Sequence, residues 1–135
     1  MKLTTRSRYG IRAILDLAKN FKNRPVSIKE ISERQNISQR YLENIFHDLK
    51  NAGILESSKG KGGGFYLAKP LKDITVLGII EILEGEMAIV ECLSEGFYCD
   101  MYEGCLTNKM WSRLNESIRQ SFANVNLGDV FTKLE

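Results

Sequence analysis

Cys92, Cys99 and Cys105 are the only cysteines in the chain and stand in C-x6-C-x5-C spacing. An odd number of thiols in a sequence that opens without a signal-peptide pattern argues against a disulfide framework. Three thiolates on one irregular stretch can converge on a soft metal or an iron–sulfur cluster, since both take deprotonated sulfur ligands. Spacing alone leaves three readings open: free thiols that are buried or redox-active, an iron–sulfur cluster, or zinc. The set is one donor short of a closed site. Glu91, Glu95, Asp100, Glu103 and Asn108 offer oxygen nearby and none stands out, while His47, the single histidine, reads as a packing or groove-facing residue. A position completed by a second subunit, by water or by a small thiol, or left open, would suit a sensor, because a diatomic gas or an oxidant could reach the iron.

A second chemistry lies upstream, between Val26 and Pro70. Ser38 introduces a run that opens with Gln39 and Arg40 and continues through Tyr41, Glu43 and Asn44, and further on Lys59-Gly60-Lys61-Gly62-Gly63-Gly64 alternates cations with glycines. Lysines on a glycine-rich tip can approach a phosphate backbone or a minor groove without side-chain bulk in the way, and each phosphate neutralised releases counterions.

These groups need elements to hold them. Ser27 precedes Glu30 by three residues ahead of apolar positions, the spacing of a capping box, so a short helix should begin there. Asn36-Ile37 fits a tight, left-handed turn, after which Ser38 can cap a second helix over Gln39 to Asn51 with Tyr41, Leu42, Ile45, Phe46 and Leu49 recurring at helical spacing and Gly53 at its end. Two short helices in this order, the second opening with polar side chains, form the helix-turn-helix that lays a recognition helix in a major groove. Ile54 to Ser58 and Phe65 to Ala68 read as the strands of a hairpin wing. Ahead of them a helix capped by Thr4 or Thr5 should run to about Asn20, and Lys2, Arg6, Arg8 and Arg12 near its start either meet flanking phosphates or form a solvated face. Behind them come a buried helix over Val76 to Leu83, an irregular loop from Glu86 to Glu103, and a long helix from about Thr107. That helix carries Met110, Trp111, Leu114, Ile118 and Phe122 on one stripe, more apolar surface than a lone small domain can cover, which predicts a homodimer. Asn126 should cap a short turn over Leu127 to Val130.

The net charge of +2 conceals two opposed halves. Residues 1–70 hold 14 Lys and Arg against 6 Asp and Glu, or +8; residues 71–135 hold 5 against 11, or −6. A basic half made for a polyanion and an acidic half made for something else divide the labour. No apolar run approaches the length of a membrane span, so the expected location is the cytoplasm. No glycine-rich nucleotide loop, paired carboxylates or nucleophile beside the histidine points to an enzyme.

Several stretches resemble one family closely. Met1-Lys2-Leu3-Thr4, Arg8-Tyr9-Gly10, Ile31-Ser32-Glu33-Arg34-Gln35-Asn36-Ile37-Ser38 with Tyr41-Leu42-Glu43, the wing Lys59-Gly60-Lys61-Gly62-Gly63-Gly64-Phe65 and the three-cysteine loop look like the iron–sulfur cluster regulator (IscR) family of winged-helix transcription factors, whose relatives include the NsrR, RirA and CymR types. The resemblance spans essentially the whole chain. It implies a homodimer on a pseudo-palindromic DNA operator and, in cluster-holding members, an affinity set by cluster state. It places Ser38, Gln39, Arg40, Tyr41, Glu43, Asn44, Lys59 and Lys61 at the DNA, and the side-chain chemistry agrees. Arg40 can bind guanine or phosphate, Asn44 can pair with adenine, and Glu43 can accept from cytosine. Lys59 stands where the family commonly has Arg, which loses a bidentate fork. The first two cysteines are separated by six residues where relatives often have five or seven. Thr107 and Asn108 stand where the cluster-assembly regulators place a histidine, and Arg6, Ser7 and Arg8 offer no acidic ligand near the N-terminus.

The resulting expectation is a mainly α chain with a small β-hairpin: a winged helix-turn-helix over residues 1–70, and a cysteine loop with a long C-terminal dimerisation helix over residues 71–135. Its function would be that of a dimeric repressor controlled by a two-iron or four-iron iron–sulfur cluster on Cys92, Cys99 and Cys105. The alternative is a cluster-free regulator of the same fold, gated by thiol oxidation or by a partner protein.

Overall fold

Residues 3–133 are described by the computed structural model; Lys2, expected among the basic residues that open the first helix, lies outside the described residues. Thr5–Asn20 forms α1, in which Ala13, Ile14 and Leu17 recur at helical spacing and are fully buried. Thr4 occupies the N-cap in extended backbone, yet its side chain makes no capping hydrogen bond. Its backbone N–H donates instead to the Glu84 carboxylate (3.3 Å), so a tertiary contact holds this end.

The capping box forms as its spacing predicts. Glu30 N–H donates to Ser27 Oγ (3.1 Å) and Ser27 N–H to the Glu30 carboxylate (3.1 Å), opening α2 over Ile28–Gln35. The helix stops at Asn36, whose φ of 55° is the left-handed turn that Asn tolerates. Ser38 Oγ then accepts from Tyr41 N–H (3.1 Å) and starts α3, Gln39–Asn51, with Leu42, Ile45, Phe46 and Leu49 buried. Gly53, at φ 82°, turns the chain away.

Strands β1, Leu55–Ser58, and β2, Gly64–Leu67, pair antiparallel with Leu55 opposite Leu67 and Ser58 opposite Gly64. Gly60 and Gly62 take positive φ at the tip. The hairpin is stitched to the approach to α2: Val26 N–H donates to Phe65 O (2.9 Å) and Phe65 N–H to Val26 O (2.8 Å). That approach requires glycine at 64, where a Cβ would stand 2.4 Å from the Val26 carbonyl oxygen.

Thr75 Oγ accepts from Gly78 N–H (2.9 Å) to cap α4, Val76–Glu84, which ends at Gly85. An irregular segment follows, with one 3-10 turn at Glu91–Leu93, and leads to α5, Leu106–Ala123, and α6, Leu127–Lys133. Helix α6 outruns the expected short turn, and Asn126 caps it as expected, Oδ1 accepting from Asp129 N–H (2.8 Å). A bridge between Thr75 and Asn126 ties the start of α4 to the start of α6. One core joins α1, α2, α3 and β1 to Ile74, Ile79 and Leu83 around α4 and to Leu127 of α6, with the rings of Phe46 and Phe65 edge-to-face at 5.0 Å. Helix α5 contributes no buried residue, and its Ile118, Phe122 and Ala123 pack on a smaller cluster of Leu77, Ile80 and Met87. The fold is thus mainly α with a two-stranded wing, the architecture the sequence leads one to expect.

Candidate nucleic-acid interface and cysteine loop

Burial of Leu42, Ile45, Phe46 and Leu49 turns the opposite side of α3 outward. Ser38, Gln39, Arg40, Glu43 and Asn44 are all exposed there, and the i, i+3 and i+4 spacing of 40, 43, 44 and 47 gives them one face. Tyr41 is half-buried, its ring edge-on to Tyr9 at 5.8 Å. Lys59 and Lys61 are exposed on the wing tip. The wing root is tied to the end of α3 by Lys50 Nζ donating to Ser57 Oγ (2.7 Å) and Ile54 N–H donating to Leu49 O (2.9 Å).

The arginines of α1 divide their work. Arg8 is exposed. Arg6, one of those expected near phosphates, turns inward: Nε donates to Leu83 O (3.0 Å), Nη1 to Asn44 Oδ1 (2.5 Å), and Nη2 pairs with Asp48. Arg12 lies 5.1 Å over the Tyr9 ring and donates to the Gln35 carbonyl (2.7 Å), one of the carbonyls that the end of α2 leaves open. On the buried side of α1 the Asp16 carboxylate receives the forked Arg34 guanidinium (2.8 to 3.1 Å) and Gln35 Nε2 (2.8 Å). The Asp16 carboxylate in turn holds the Arg34 guanidinium above its ordinary pKa. These contacts fix α2, and through the Asn36 turn they set the attitude of α3.

The three cysteines are free thiols, each partly exposed. Cys92 and Cys99 line one cavity of about 650 Å³ with Ser94, Phe97, Tyr98 and Tyr102, and Cys105 stands apart from it as the N-cap residue of α5. Among the described residues no group of three His, Cys, Asp or Glu side chains is placed to hold a metal ion. By donor chemistry, three unbridged and accessible thiols on one loop fit a soft-metal group. A hydrogen bond with the Thr107 hydroxyl (3.2 Å), then the backbone N–H groups of Asn108 and Thr107, hold the Cys105 thiol below its ordinary range. Asn108 turns its amide nitrogen to the site, Nδ2 donating to Cys92 Sγ (3.4 Å). The loop's root is clamped by Asn115, which accepts from Ile89 N–H (2.9 Å) and donates to Met87 O (3.2 Å). A lone Asn between Trp111 and Ile118 on the inner side of α5 was the available signal for that role.

A helix-turn-helix whose second helix shows solvent a polar face, backed by a glycine-tipped cationic wing, defines a winged-helix DNA-binding transcription regulator. The sequence pattern of Rrf2, described as an iron-dependent transcriptional regulator, matches residues 3–133, and the chain belongs to that family. It is 41% identical over 130 residues to protein rrf2 of Nitratidesulfovibrio vulgaris, a match covering 96% of this chain and 87% of that one. Among solved structures it is similar to CymR, the global cysteine regulator of B. subtilis, with a TM-score of 0.80, 30% identity and 98% of each chain covered. It is also similar to T. potens IscR, with a TM-score of 0.79, 35% identity, and 100% of this chain and 89% of that one covered. The family is one of transcriptional regulators, and this chain is a regulator and not an enzyme. No helix among the described residues is long and apolar enough to cross a membrane.

Proposed function

We propose that this regulator acts in the cytoplasm as a homodimeric repressor on a pseudo-palindromic operator, its DNA affinity set by a two-iron or four-iron cluster held by Cys92, Cys99 and Cys105. The observation that carries the reading is the position of the loop. It starts directly beyond α4, whose Leu83 packs in the reader's core, and ends at α5, so the loop's state can reach the reader through one short helix. In this reading residues 1–70 read DNA, with Ser38, Gln39, Arg40, Tyr41, Glu43 and Asn44 in the major groove and Lys59 and Lys61 on the backbone or minor groove. Residues 71–135 sense and dimerise. When bound, the cluster would supply an iron centre that exchanges single electrons. The chain's own groups provide thiolates for it: Thr107 and the first N–H groups of α5 favour the ionised Cys105, and Asn108 donates to Cys92.

A second reading keeps the DNA-binding dimer but gates it by thiol oxidation or by a partner protein. What favours it is that no three metal-binding side chains are gathered among the described residues, together with the likeness to CymR of Staphylococcus aureus, whose solved structures include an oxidized form. Purification without oxygen separates the two. Visible charge-transfer bands with stoichiometric iron and sulfide, lost when any one of the three cysteines is replaced by Ala, support the cluster. Colourless, iron-free protein with a normal DNA response, even after attempted reconstitution, supports the second reading, and iron retained in all three Cys→Ala variants rejects the ligand assignment.

A further inference from the structure

Arg6 sits on α1, outside the helix-turn-helix, yet it spends its guanidinium on the reader. Nη1 holds the amide oxygen of Asn44 at 2.5 Å, Nη2 pairs with Asp48 one turn further along α3, and Nε holds the Leu83 carbonyl at the end of α4 (3.0 Å). Its side chain keeps only 24% of its exposure, so these three acceptors, rather than phosphate, define its place. Asn44 itself is exposed on the outward face of α3.

An exposed Asn can present either edge of its amide, since a half-turn about the last side-chain bond exchanges oxygen for nitrogen. A charged donor on Oδ1 removes that freedom and leaves Nδ2 as the outward donor. We propose that Arg6 is a positioning residue for base readout: by fixing the Asn44 amide in one orientation, it sets the base at which Asn44 discriminates. Held this way, Nδ2 donates to a purine N7 while the second lone pair of Oδ1 stays available to an adenine amino group. The flipped amide, which would turn Nδ2 toward the Arg6 guanidinium and leave the groove an acceptor without a donor beside it, is closed off. Lysine cannot replace Arg6 here, because a point charge cannot span three acceptors spread over two helices. The inference rests on the reading of α3 as the helix that enters the groove.

The test uses the full chain and duplexes that the wild type selects from a randomised library. Binding to every single-base variant of the selected duplex, and to a scrambled duplex, is measured by fluorescence anisotropy for the wild type, Arg6→Lys, Asn44→Ala and the double variant. Asn44→Ala should lose about 10-fold of discrimination at one base pair per half-site. Arg6→Lys should lose most of the same discrimination at the same base pair, with scrambled-duplex affinity unchanged, and the double variant should be no worse than Asn44→Ala. Melting curves check folding, and Arg6→Gln, which can hold one acceptor, replaces the Lys variant if that one unfolds. Full discrimination in the folded Arg6 variants, or an equal loss on all duplexes, overturns the positioning role. A flat profile for Asn44→Ala has a different meaning: Asn44 reads no base and there is nothing for Arg6 to position.

Discussion

Arg40 is exposed on the polar face of α3 and makes no hydrogen bond or ion pair among the described residues, which leaves its fork available to guanine or phosphate. Arg40→Ala should weaken specific binding by about 1–3 kcal/mol if the fork reads a base. Titrations against specific and scrambled duplexes distinguish the cases: a uniform loss marks a phosphate contact, and no loss removes Arg40 from the interface. Arg34 carries the opposite kind of duty, because its partner Asp16 has a side chain only 3% exposed while its own is 37% exposed. Arg34→Ala strands a buried carboxylate with only Gln35 to donate to it, and should cost about 3 kcal/mol. Asp16→Asn leaves a guanidinium that can rehydrate, and should cost about 1–2 kcal/mol. Urea midpoints at constant slope measure both, and equal losses would mean that Asp16 is solvated. Neither Asp16 nor Arg6 was legible in the sequence, where α1 reads as an apolar stripe with basic residues at its start. Their partners lie 18 to 77 residues away, beyond the reach of any local pattern.

The elements were legible wherever a short-range signal fixes them. Ser27 with Glu30 and Ser38 open their helices as spacing predicts, and the glycines of the tip and of position 64 permit the wing. Thr4 makes no side-chain cap, and the contact that holds this end, its N–H to Glu84, comes from far along the chain; the cysteine loop has no periodicity from which positions could be read. The capping box also carries a pH signature. The Glu30 carboxyl is held below its ordinary 4.5, first by its hydrogen bond from Arg24 and then by the Ser27 N–H, against a desolvation penalty. A depressed folded-state pKa means that the unfolded chain binds more protons in this window. The contribution is therefore complete above the unfolded value and is lost as pH falls through the folded one. Glu30→Gln keeps an acceptor for Ser27 and removes the charge, so its thermal midpoint should lie below the wild type's at neutral pH and converge with it well below pH 4.5. A gap that persists in acid would assign the box to shape rather than charge.

At the scale of the molecule, the basic and acidic halves share one core, and α5 shows which surface is left over. Its Ile118 and Phe122 pack on α4, whereas Leu106, Met110 and Leu114, spaced i, i+4, i+8, remain 78%, 45% and 46% exposed. The stripe read from the sequence as continuous is thus split between an inner and an outer side. The outer side is what a second copy would cover, with the two readers then brought to two half-sites by a two-fold axis. A charge placed there tests the arrangement without touching the core, because α5 buries no residue. Leu114→Glu should keep the wild-type melting of the reader and sediment as a monomer at micromolar concentration. Its affinity for a selected palindromic duplex should fall by at least about 100-fold, since the second half-site no longer adds an intramolecular contact, while binding to a single half-site should stay the same. A variant that remains dimeric would move the interface off this face, and a monomer with full palindrome affinity would mean that each half-site is read independently.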